Sequence, residues 1–402
     1  MTLREKPCCF KLLALALCAL AVGSLFACSP PELRTAAQRP PVSTPSQAHP
    51  VPGTKAMPRV SVRKTGKTTG TRRDQTAGTA RLPAGKTSQA VPGMDFQLRR
   101  NLYRLTYVPT YDGSGQETHP KLLYFPHGWN GYRYWMSFTP YPGTDARYEN
   151  PSIVTSNDGK AWAVPKGLKN PVAGVPDDVS GGGYYSDPQL VMRGRIMELW
   201  YRYNKASECR GNSRLDRYYR IRSSDGVHWT VPELMHASRF GTLSLAVLWT
   251  GSRYQFWYTT YSYDLIHAVS TDGKDWEEIK PCAVSLPTGF RPYHQDVISY
   301  RNRYYLLQTA IRQKEYSFSL FMLESGDGIH FSKSAFFSPS SSPVILDKTW
   351  MYRSTLAPVD QDDFLMVVSY CLPGRKWFMT ECVLPVSRWD AACSTGKPVI
   401  LK

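Results

Sequence analysis

A short motif recurs four times between residues 156 and 331, and it constrains the fold more than any other feature of the sequence. Each copy reads Ser-x-Asp-Gly-x-x-aromatic, with the acidic position at Asp158, Asp225, Asp272 and Asp327. An Asp-Gly pair supplies the positive-φ turn of a hairpin, the Ser and Asp side chains can bond turn amides, and the aromatic ring can pack beneath. The intervals of 67, 47 and 55 residues are typical of repeated β-units. We therefore assign these boxes an architectural role.

The segments between the boxes have the composition of strands in a fixed order. Each unit starts with an apolar strand, passes through a Gly or Asn turn into an aromatic strand, and returns after a longer loop to a strand that enters the box. A fifth unit near the C-terminus keeps the strands but lacks the box. The pattern predicts an all-β fold, a five-bladed β-propeller of four-stranded antiparallel blades over residues 93–402. We expect residues 102–108 to lie beside the last blade and close the circle.

The positive charge of the chain is concentrated before the predicted propeller. The first 100 residues contain 16 of the 49 basic side chains but only 4 of the 32 acidic ones. A domain that binds nucleic acid usually carries its excess charge on the surface that docks. We therefore expect no nucleic-acid partner for the folded part.

The N-terminal segment is predicted to be an export signal. Residues 1–27 carry a positive stretch followed by an apolar run at 12–27, which is about as long as a signal peptide and short for a membrane-spanning helix. The run ends Leu-Phe-Ala before Cys28, which resembles the lipobox of bacterial lipoproteins. This resemblance implies lipidation, such as palmitate, at Cys28 and a cell-envelope lipoprotein. Ser29 after it implies the outer membrane. An ordinary secretory signal and an uncleaved anchor helix are the alternatives.

Residues 28–92 are predicted to be a disordered tether. They are rich in Pro, Ser, Thr, Ala, Gly, Lys and Arg and nearly lack aromatic residues, so they bury too little surface to offset the entropy of ordering. Positions 29–92 hold 11 basic and 2 acidic residues. This charge predicts contact with the membrane surface or with anionic envelope polymers, and a plain solvated spacer is the alternative.

Four stretches near the predicted channel are similar to one group of propellers. They are residues 148–153 (Tyr-Glu-Asn-Pro-Ser-Ile), 186–188 (Ser-Asp-Pro), 294–297 (His-Gln-Asp-Val) and 352–355 (Tyr-Arg-Ser-Thr). With the boxes and the strand pattern, they resemble an uncharacterised branch of the five-bladed propellers of glycoside hydrolase families 43 and 32. The resemblance implies a carbohydrate substrate and a glycosidase activity.

The leading residues of the innermost strands are expected to converge at one mouth of the channel. The resembling superfamily draws a base Asp from the first blade, a second Asp from the second blade and a Glu acid from the third. Asp187 matches the second of these, whereas the first blade opens with His119 and the third with Ser244. Hydrolysis of a glycoside needs one protonated and one ionised carboxyl group. We therefore predict Asp187 or Asp296 as the ionised carboxylate and Glu149 as the acid.

Further side chains at this mouth are predicted to hold the substrate, namely His119, Asn150, His294 and Arg353. Charged groups that bond hydroxyls, together with aromatic rings that stack on apolar sugar faces, suit a carbohydrate. A core position for His294 and a charge-neutralising role for Arg353 are the structural alternatives. No Cys and His spacing is typical of zinc, so we predict no metal or other cofactor, with a structural cation in the channel left open.

Three functions remain open from the sequence. An exported glycosidase is the first, and a non-catalytic glycan-binding propeller, favoured by the missing carboxylates, is the second. A sialidase-like enzyme is the third, because sialidases also carry Asp-boxes. Those enzymes have six blades and need three arginines, for which this chain offers only Arg353 as an obvious candidate. We expect the protein to be a monomer.

Overall fold

The structure is a computed structural model whose described residues are 105–205, 215–238, 242–338, 349–360 and 362–401. These residues belong to one compact unit, 88–402. The predicted signal peptide at 1–27, the lipidation site Cys28 and the tether at 28–92 lie outside them. No helix within the described ranges is long and apolar enough to cross a membrane.

The described chain is almost entirely β-strand, with one α-helix, α1 (Val386–Thr395), and short 3-10 turns at Pro142–Thr144, Ala146–Tyr148 and Val179–Gly181. The strands in chain order are β1 (Leu105–Thr106), β2 (Glu117–Trp129), β3 (Tyr132–Pro140), β4 (Ser152–Ser156), β5 (Tyr184–Arg193), β6 (Ile196–Asn204), β7 (Asp216–Ser223), β8 (Glu233–Ser238), β9 (Thr242–Trp249), β10 (Tyr254–Thr260), β11 (Leu265–Ser270), β12 (Glu277–Pro281), β13 (Ala283–Val284), β14 (Phe290–Tyr300), β15 (Arg303–Arg312), β16 (Ser317–Ser325), β17 (His330–Phe331), β18 (Lys333–Ser338), β19 (Trp350–Met351), β20 (Thr355–Asp360), β21 (Asp363–Leu372), β22 (Lys376–Pro385) and β23 (Val399–Ile400).

Five antiparallel sheets form the blades, and the predicted five-bladed propeller is confirmed. From the channel outwards the first four are β2-β3-β4, β5-β6-β7-β8, β9-β10-β11-β12 and β14-β15-β16-β18. A bridge between Thr155 and Ala163 adds the outermost pairing of blade 1, and β23 adds a parallel strand to blade 4. The first strands of neighbouring blades contact one another around the ring, so their side chains share one axial channel.

The fifth blade closes the ring with a strand from the other end of the chain. Its strands are β20, β21 and β22, with β1 added antiparallel at the outer edge. Leu105 pairs with Thr380 and Thr106 with Met379. This is the closure predicted for residues 102–108, and it covers an edge that would otherwise be exposed.

The Asp-box turns form the joints between blades. In the second box the Ser223 hydroxyl donates to Asp225 at 3.0 Å and accepts from the amide of Gly226 at 2.7 Å. Gly226 has a φ of +78°, and a Cβ there would lie 2.2 Å from the ring of Trp135 in blade 1. Glycine is required both for the backbone conformation and for this contact. The equivalent Gly273 lies against a buried Trp of blade 2 in the same way.

Candidate functional site

Two unusual backbone positions open the innermost strands of blades 1 and 2. His119 and Asp187 have φ values of +56° and +52°, and each is followed by a proline. The strand register shifts at both places. A non-glycine residue in the left-handed region costs on the order of 1–3 kcal/mol, and such strain concentrates at functional sites. The kinks occur where the strands reach the mouth of the channel, and the two side chains meet there.

Three buried side chains from three blades form the centre of the site. His119, Asp187 and His294 each offer one nitrogen or oxygen atom, and these atoms lie within 4.8 Å of one another. The two imidazole rings have centroids 5.2 Å apart. Each residue exposes less than a twentieth of its surface. The ring closure therefore brings together three groups that are 68 and 107 positions apart in the sequence.

Each imidazole uses one nitrogen for a hydrogen bond, and the other nitrogen makes none within the described chain, although His294 Nδ1 lies 3.5 Å from Asp187 Oδ1. His119 Nδ1 lies 3.1 Å from the Thr139 hydroxyl and 3.6 Å from a Glu149 carboxylate oxygen. His294 Nε2 lies 2.8 Å from the Tyr352 hydroxyl. Among the described residues, His119 Nε2 and His294 Nδ1 are buried and have no hydrogen-bond partner. Burying a polar atom without a hydrogen bond costs free energy of folding, so these two nitrogens indicate a place where a ligand binds.

Asp187 is surrounded by positive charge. Arg353 Nη1 donates to Asp187 Oδ1 at 2.5 Å, and Arg202 Nη2 lies 3.4 Å from Oδ2. The Ser186 hydroxyl donates to Oδ2 at 3.2 Å. Burial by itself would raise the pKa of Asp187, but Arg353 and Arg202 outweigh it and hold the pKa well below its usual range. Asp187 is therefore the ionised carboxylate of the site.

The same burial keeps both histidines neutral. It lowers the pKa of His119 to about 3; the charge of Asp187 opposes this shift, and Arg353 and Arg202 add to it. Burial likewise lowers the pKa of His294 well below its ordinary value. A neutral imidazole has one free lone pair, which is the form that binds a metal ion.

Glu149 has the opposite character from Asp187. It follows the 3-10 turn Ala146–Tyr148 in the long loop of blade 1 and is buried beside His119. Burial, and then the negative charge of Asp187, raise the pKa of Glu149 well above its usual range. Two carboxyl groups whose pKa values are driven apart in this way are suited to acid and base roles.

The surroundings of Asp296 differ from those expected for the ionised catalytic carboxylate. It lies on the same strand as His294, but Lys121 Nζ donates to its Oδ1 at 2.6 Å and the Thr355 hydroxyl donates to its Oδ2 at 2.6 Å. The side chain is fully buried. Because both oxygens are used, the geometry argues against Asp296 as the catalytic carboxylate and indicates an internal ion pair that joins blades 1, 4 and 5.

Two of the predicted substrate-binding residues also have structural partners. The Asn150 amide donates to the Tyr111 hydroxyl at 2.8 Å and to the Arg147 carbonyl at 3.0 Å, so Asn150 braces the loop that carries Glu149. Arg353 is fully buried against Asp187. The structure thus favours positioning roles for both, because the groups predicted to contact a ligand are already bonded within the protein.

The sequence analysis missed three residues that complete the site. Arg202 lies on the second strand of blade 2, directly opposite Ser186. The predicted site residues came only from the first strands and from the loops. Tyr352 precedes Arg353 and supports His294 through its hydroxyl. Lys121 pairs with the carboxylate of Asp296. The position of Arg202 at the mouth end of an aromatic strand was a usable signal.

The donor set at the centre fits a divalent cation. Two imidazole nitrogens and a carboxylate oxygen are ligands common in catalytic metal sites, and an imidazole ligand usually bonds a second group through its other nitrogen. His119 and His294 meet this requirement through Thr139 and Tyr352. The unbonded nitrogens are the observation on which the fit depends.

Comparison with known proteins agrees with the fold. A segment of 126 residues, 31% of this chain, is 37% identical to the A type blood N-acetyl-α-D-galactosamine deacetylase of Flavonifractor plautii, and it spans only 16% of that protein's length. The crystal structure of an N-acetylgalactosamine deacetylase from F. plautii, in complex with blood group B trisaccharide, superposes with a TM-score of 0.58 at 20% identity, over 71% of this chain and 92% of that one. The two proteins share a fold.

A more distant likeness is to a GH43 protein from Bacillus licheniformis, with a TM-score of 0.48 at 13% identity over 67% of this chain and 52% of that one. No family model matches the sequence. The five blades found here differ from the six of sialidases, which removes the structural basis of the sialidase-like alternative.

Proposed function

We propose that this propeller is a cation-dependent carbohydrate deacetylase that removes the acetyl group from an N-acetylated sugar of a glycan. The observation that carries the proposal is the trio of His119, Asp187 and His294, with two buried histidine nitrogens that make no hydrogen bond within the described residues. The similarity to the F. plautii deacetylase in part of the sequence and in fold supports it.

Each residue of the site has a role in this reaction. His119, His294 and Asp187 would hold the cation, which would polarise an amide carbonyl as a Lewis acid. Thr139 and Tyr352 fix the orientation of the two imidazoles through their other nitrogens. This arrangement sets the free lone pairs toward the channel before substrate arrives.

Glu149 and the arginines complete the assignment. Burial raises the pKa of Glu149 well above its usual range, and the carboxyl lies beside the proposed cation ligands, so Glu149 is placed to donate a proton to the amine that leaves after water adds to the amide carbonyl. Arg353 and Arg202 keep Asp187 ionised. The buried position of all four limits the access of bulk water, which strengthens the electrostatic interactions inside the site.

Glycoside hydrolysis is the second candidate. The divergent pKa values of Glu149 and Asp187 favour it, because an acid and an ionised carboxylate are what that reaction requires. It ranks second because it gives no role to the two histidine nitrogens that make no hydrogen bond within the described residues.

The two reactions are separated by their products. Purified protein is stripped with a chelator, reloaded with Zn²⁺, Mn²⁺ or Ca²⁺, and incubated with glycans that end in N-acetylgalactosamine or N-acetylglucosamine. We expect release of acetate that depends on the cation and is lost in Asp187→Asn but not in the exposed control Asp275→Asn. Release of reducing sugar without acetate would support glycosidase activity. If neither product forms, the result would support a non-catalytic glycan-binding protein.

We also propose that the propeller is displayed at the cell envelope through a lipid on Cys28. Support comes from the apolar run at 12–27 and from the Cys that follows it. In a bacterial host, incorporation of labelled palmitate into the full chain, and its loss in Cys28→Ala, is the expected result. An unlabelled secreted protein would contradict the anchor.

A further inference from the structure

The innermost strand of blade 4 contains a bulge immediately before His294. The register of β14 with β15 shifts between Pro292 and His294, so the intervening Tyr293 has no partner on β15. An extra residue of this kind re-aims its side chain, and such bulges are common beside active sites. The strands that carry the other two members of the trio also shift register at the mouth. The bulge therefore places Tyr293 at the mouth of the channel, one residue before a proposed cation ligand.

Both histidines of the trio have tyrosine rings beside them. The Tyr293 ring meets the His294 ring at a centroid distance of 4.5 Å and an angle of 84°. The Tyr141 ring lies 6.3 Å from the His119 ring. Tyr352 contacts both imidazoles, with ring distances of 5.6 Å to His119 and 4.8 Å to His294. These three tyrosines, which come from blades 1, 4 and 5, form a tyrosine wall at the site.

The three rings of the tyrosine wall are partly exposed, whereas the two histidines beside them are almost completely buried. A ligand that reaches the histidines from the mouth therefore contacts the rings. Trp377 packs at 5.2 Å from Tyr141 and 4.9 Å from Tyr352, and Phe318 packs at 4.8 Å from Tyr293. These contacts fix the rings before a ligand binds, which lowers the entropic cost of binding.

The charged groups beside the trio are bonded to one another. Arg353 and Arg202 both pair with Asp187. Arg202 also donates to the Ser186 hydroxyl and to the Thr242 carbonyl. Because these groups already have partners within the protein, the partly exposed rings are better placed to contact the part of a sugar that does not react. A pyranose has a face of C–H groups, and such a face packs well on an aromatic ring.

We propose that the tyrosine wall determines which sugar the site accepts, and that the C–H face of the N-acetylated pyranose stacks on the ring of Tyr293. In this pose the acetamido group reaches the trio. The inference rests on the proposed function and deepens it, because it names the surface that recognises the sugar. Stacking beside His294 orients the amide for reaction and lowers KM.

The first test separates the ring of Tyr293 from its hydroxyl. Tyr293→Phe keeps the ring, whereas Tyr293→Leu replaces it with an aliphatic side chain. The matched control is Phe336→Leu, which removes an exposed aromatic ring from the outer strand β18 of the same blade. KM for cation-dependent acetate release is measured with the methyl glycosides of N-acetylgalactosamine and N-acetylglucosamine. Kd for the same glycosides is measured by NMR titration of the metal-free protein.

A second measurement keeps the packing of the wall intact. Wild-type protein with isotope-labelled tyrosine rings is examined for nuclear Overhauser effects to the C–H protons of the bound glycoside. We expect such contacts in the wild type. At least one of them should disappear in Tyr293→Phe, because the ring remains but carries no label. This measurement decides the pose even if Tyr293→Leu does not fold.

We expect Tyr293→Leu to raise KM and Kd by about tenfold, the effect of one lost stacking contact. Tyr293→Phe and Phe336→Leu should keep the wild-type Kd. A wild-type Kd in Tyr293→Leu, or an equal loss in Tyr293→Phe, would overturn stacking on Tyr293 and leave the proposed function standing if acetate is still released.

The two proposals can fail separately. If the glycosides bind and Tyr293→Leu weakens them, but the wild type releases no acetate, the proposed function fails and the tyrosine wall stands. If neither glycoside binds to the wild type, the tyrosine wall is overturned as a sugar-binding surface.

Discussion

The Asp-box turns and the centre of the channel differ in how completely their polar groups are hydrogen-bonded. In each box the Asp side chain accepts from turn amides two and three positions later, and the Ser hydroxyl is bonded as well, so the motif is complete within a few residues. At the channel His119 and His294 each keep a buried nitrogen without a partner. The boxes stabilise the fold, whereas the two histidine nitrogens in the channel can still accept a bond from a ligand.

This difference predicts two separable classes of mutation. Changes in the boxes should lower stability and leave activity per folded molecule intact. Changes at His119 and His294 should remove activity at little cost in stability, because strained and unsatisfied groups are not optimised for folding. Loss of the Asp187 charge should also lower stability, because it leaves Arg353 and Arg202 buried without their carboxylate.

The largest effect is expected for His294→Phe, which keeps a ring of similar size but loses both nitrogens. Cation-dependent acetate release should fall by more than about 100-fold, since even changes in the groups that support metal ligands cost about 10–100-fold. The free energy of unfolding should change by less than about 1 kcal/mol. Activity assays and urea denaturation decide this, and a variant that unfolds readily would show that His294 is a core residue.

Lys121→Met sharpens the comparison within the channel itself. It leaves Asp296 buried without its cation, and breaking a buried pair in this way costs about 3–5 kcal/mol. The double variant Lys121→Met with Asp296→Leu should recover most of this loss, because neither charge then remains. Chemical denaturation measures both. If Asp296→Leu with Lys121→Met is stable but inactive, the original prediction of a catalytic Asp296 would regain support.

Gly226→Ala tests the joint between two blades. The added Cβ meets the Trp135 ring and the backbone has a positive φ, so we expect a loss of about 2–4 kcal/mol in the free energy of unfolding. Gly194→Ala is the matched control, because its φ of +64° is similar but no atom lies within 4 Å. That control should cost only about 1 kcal/mol. Equal losses in the two variants would show that the contact with Trp135 is unimportant.

The smallest effect is expected at Glu233, which bridges a strand of blade 2 to the third box. Lys274 at 2.9 Å and Arg220 at 2.8 Å lower the pKa of Glu233 to about 2 from its ordinary 4.5. A depressed pKa stabilises the fold above pH 4.5, and this contribution disappears as the pH falls towards 2. Since the group is partly exposed, Glu233→Gln should cost less than about 1 kcal/mol at neutral pH. Denaturation of both proteins at pH 7 and pH 3 should show the difference shrinking.

Much of the fold could be predicted because its determinants are local. Turn chemistry at Gly226 and the aromatic strand composition of β6 depend on neighbours a few residues away, and such features indicated the blade count and the position of the boxes correctly. The closing strand near Leu105 was also predictable, since a ring of sheets has an edge to cover.

The candidate site could be predicted only in part. His119, Asp187 and His294 were selected because they begin the innermost strands, and the structure brings them together. Their chemical roles stay predictions, whereas Arg353 is bound to Asp187, as the charge-neutralising alternative expected. The sequence left a structural cation in the channel open but did not predict the proposed catalytic cation site, and this has a physical reason. Its ligands are spread over three blades and have no characteristic spacing along the chain.

The sequence by itself determined that this protein is a ring of five sheets with charged and aromatic residues at one mouth, because strand periodicity and turn preference act over short distances. Only the tertiary structure decided which charges cancel and which atoms stay unbonded. Lys121 pairs with Asp296 across 175 positions and Arg353 with Asp187 across 166. Such pairings depend on ring closure and on the kinks at two prolines. The role of a charged side chain is therefore known only when its partner in the folded protein is known.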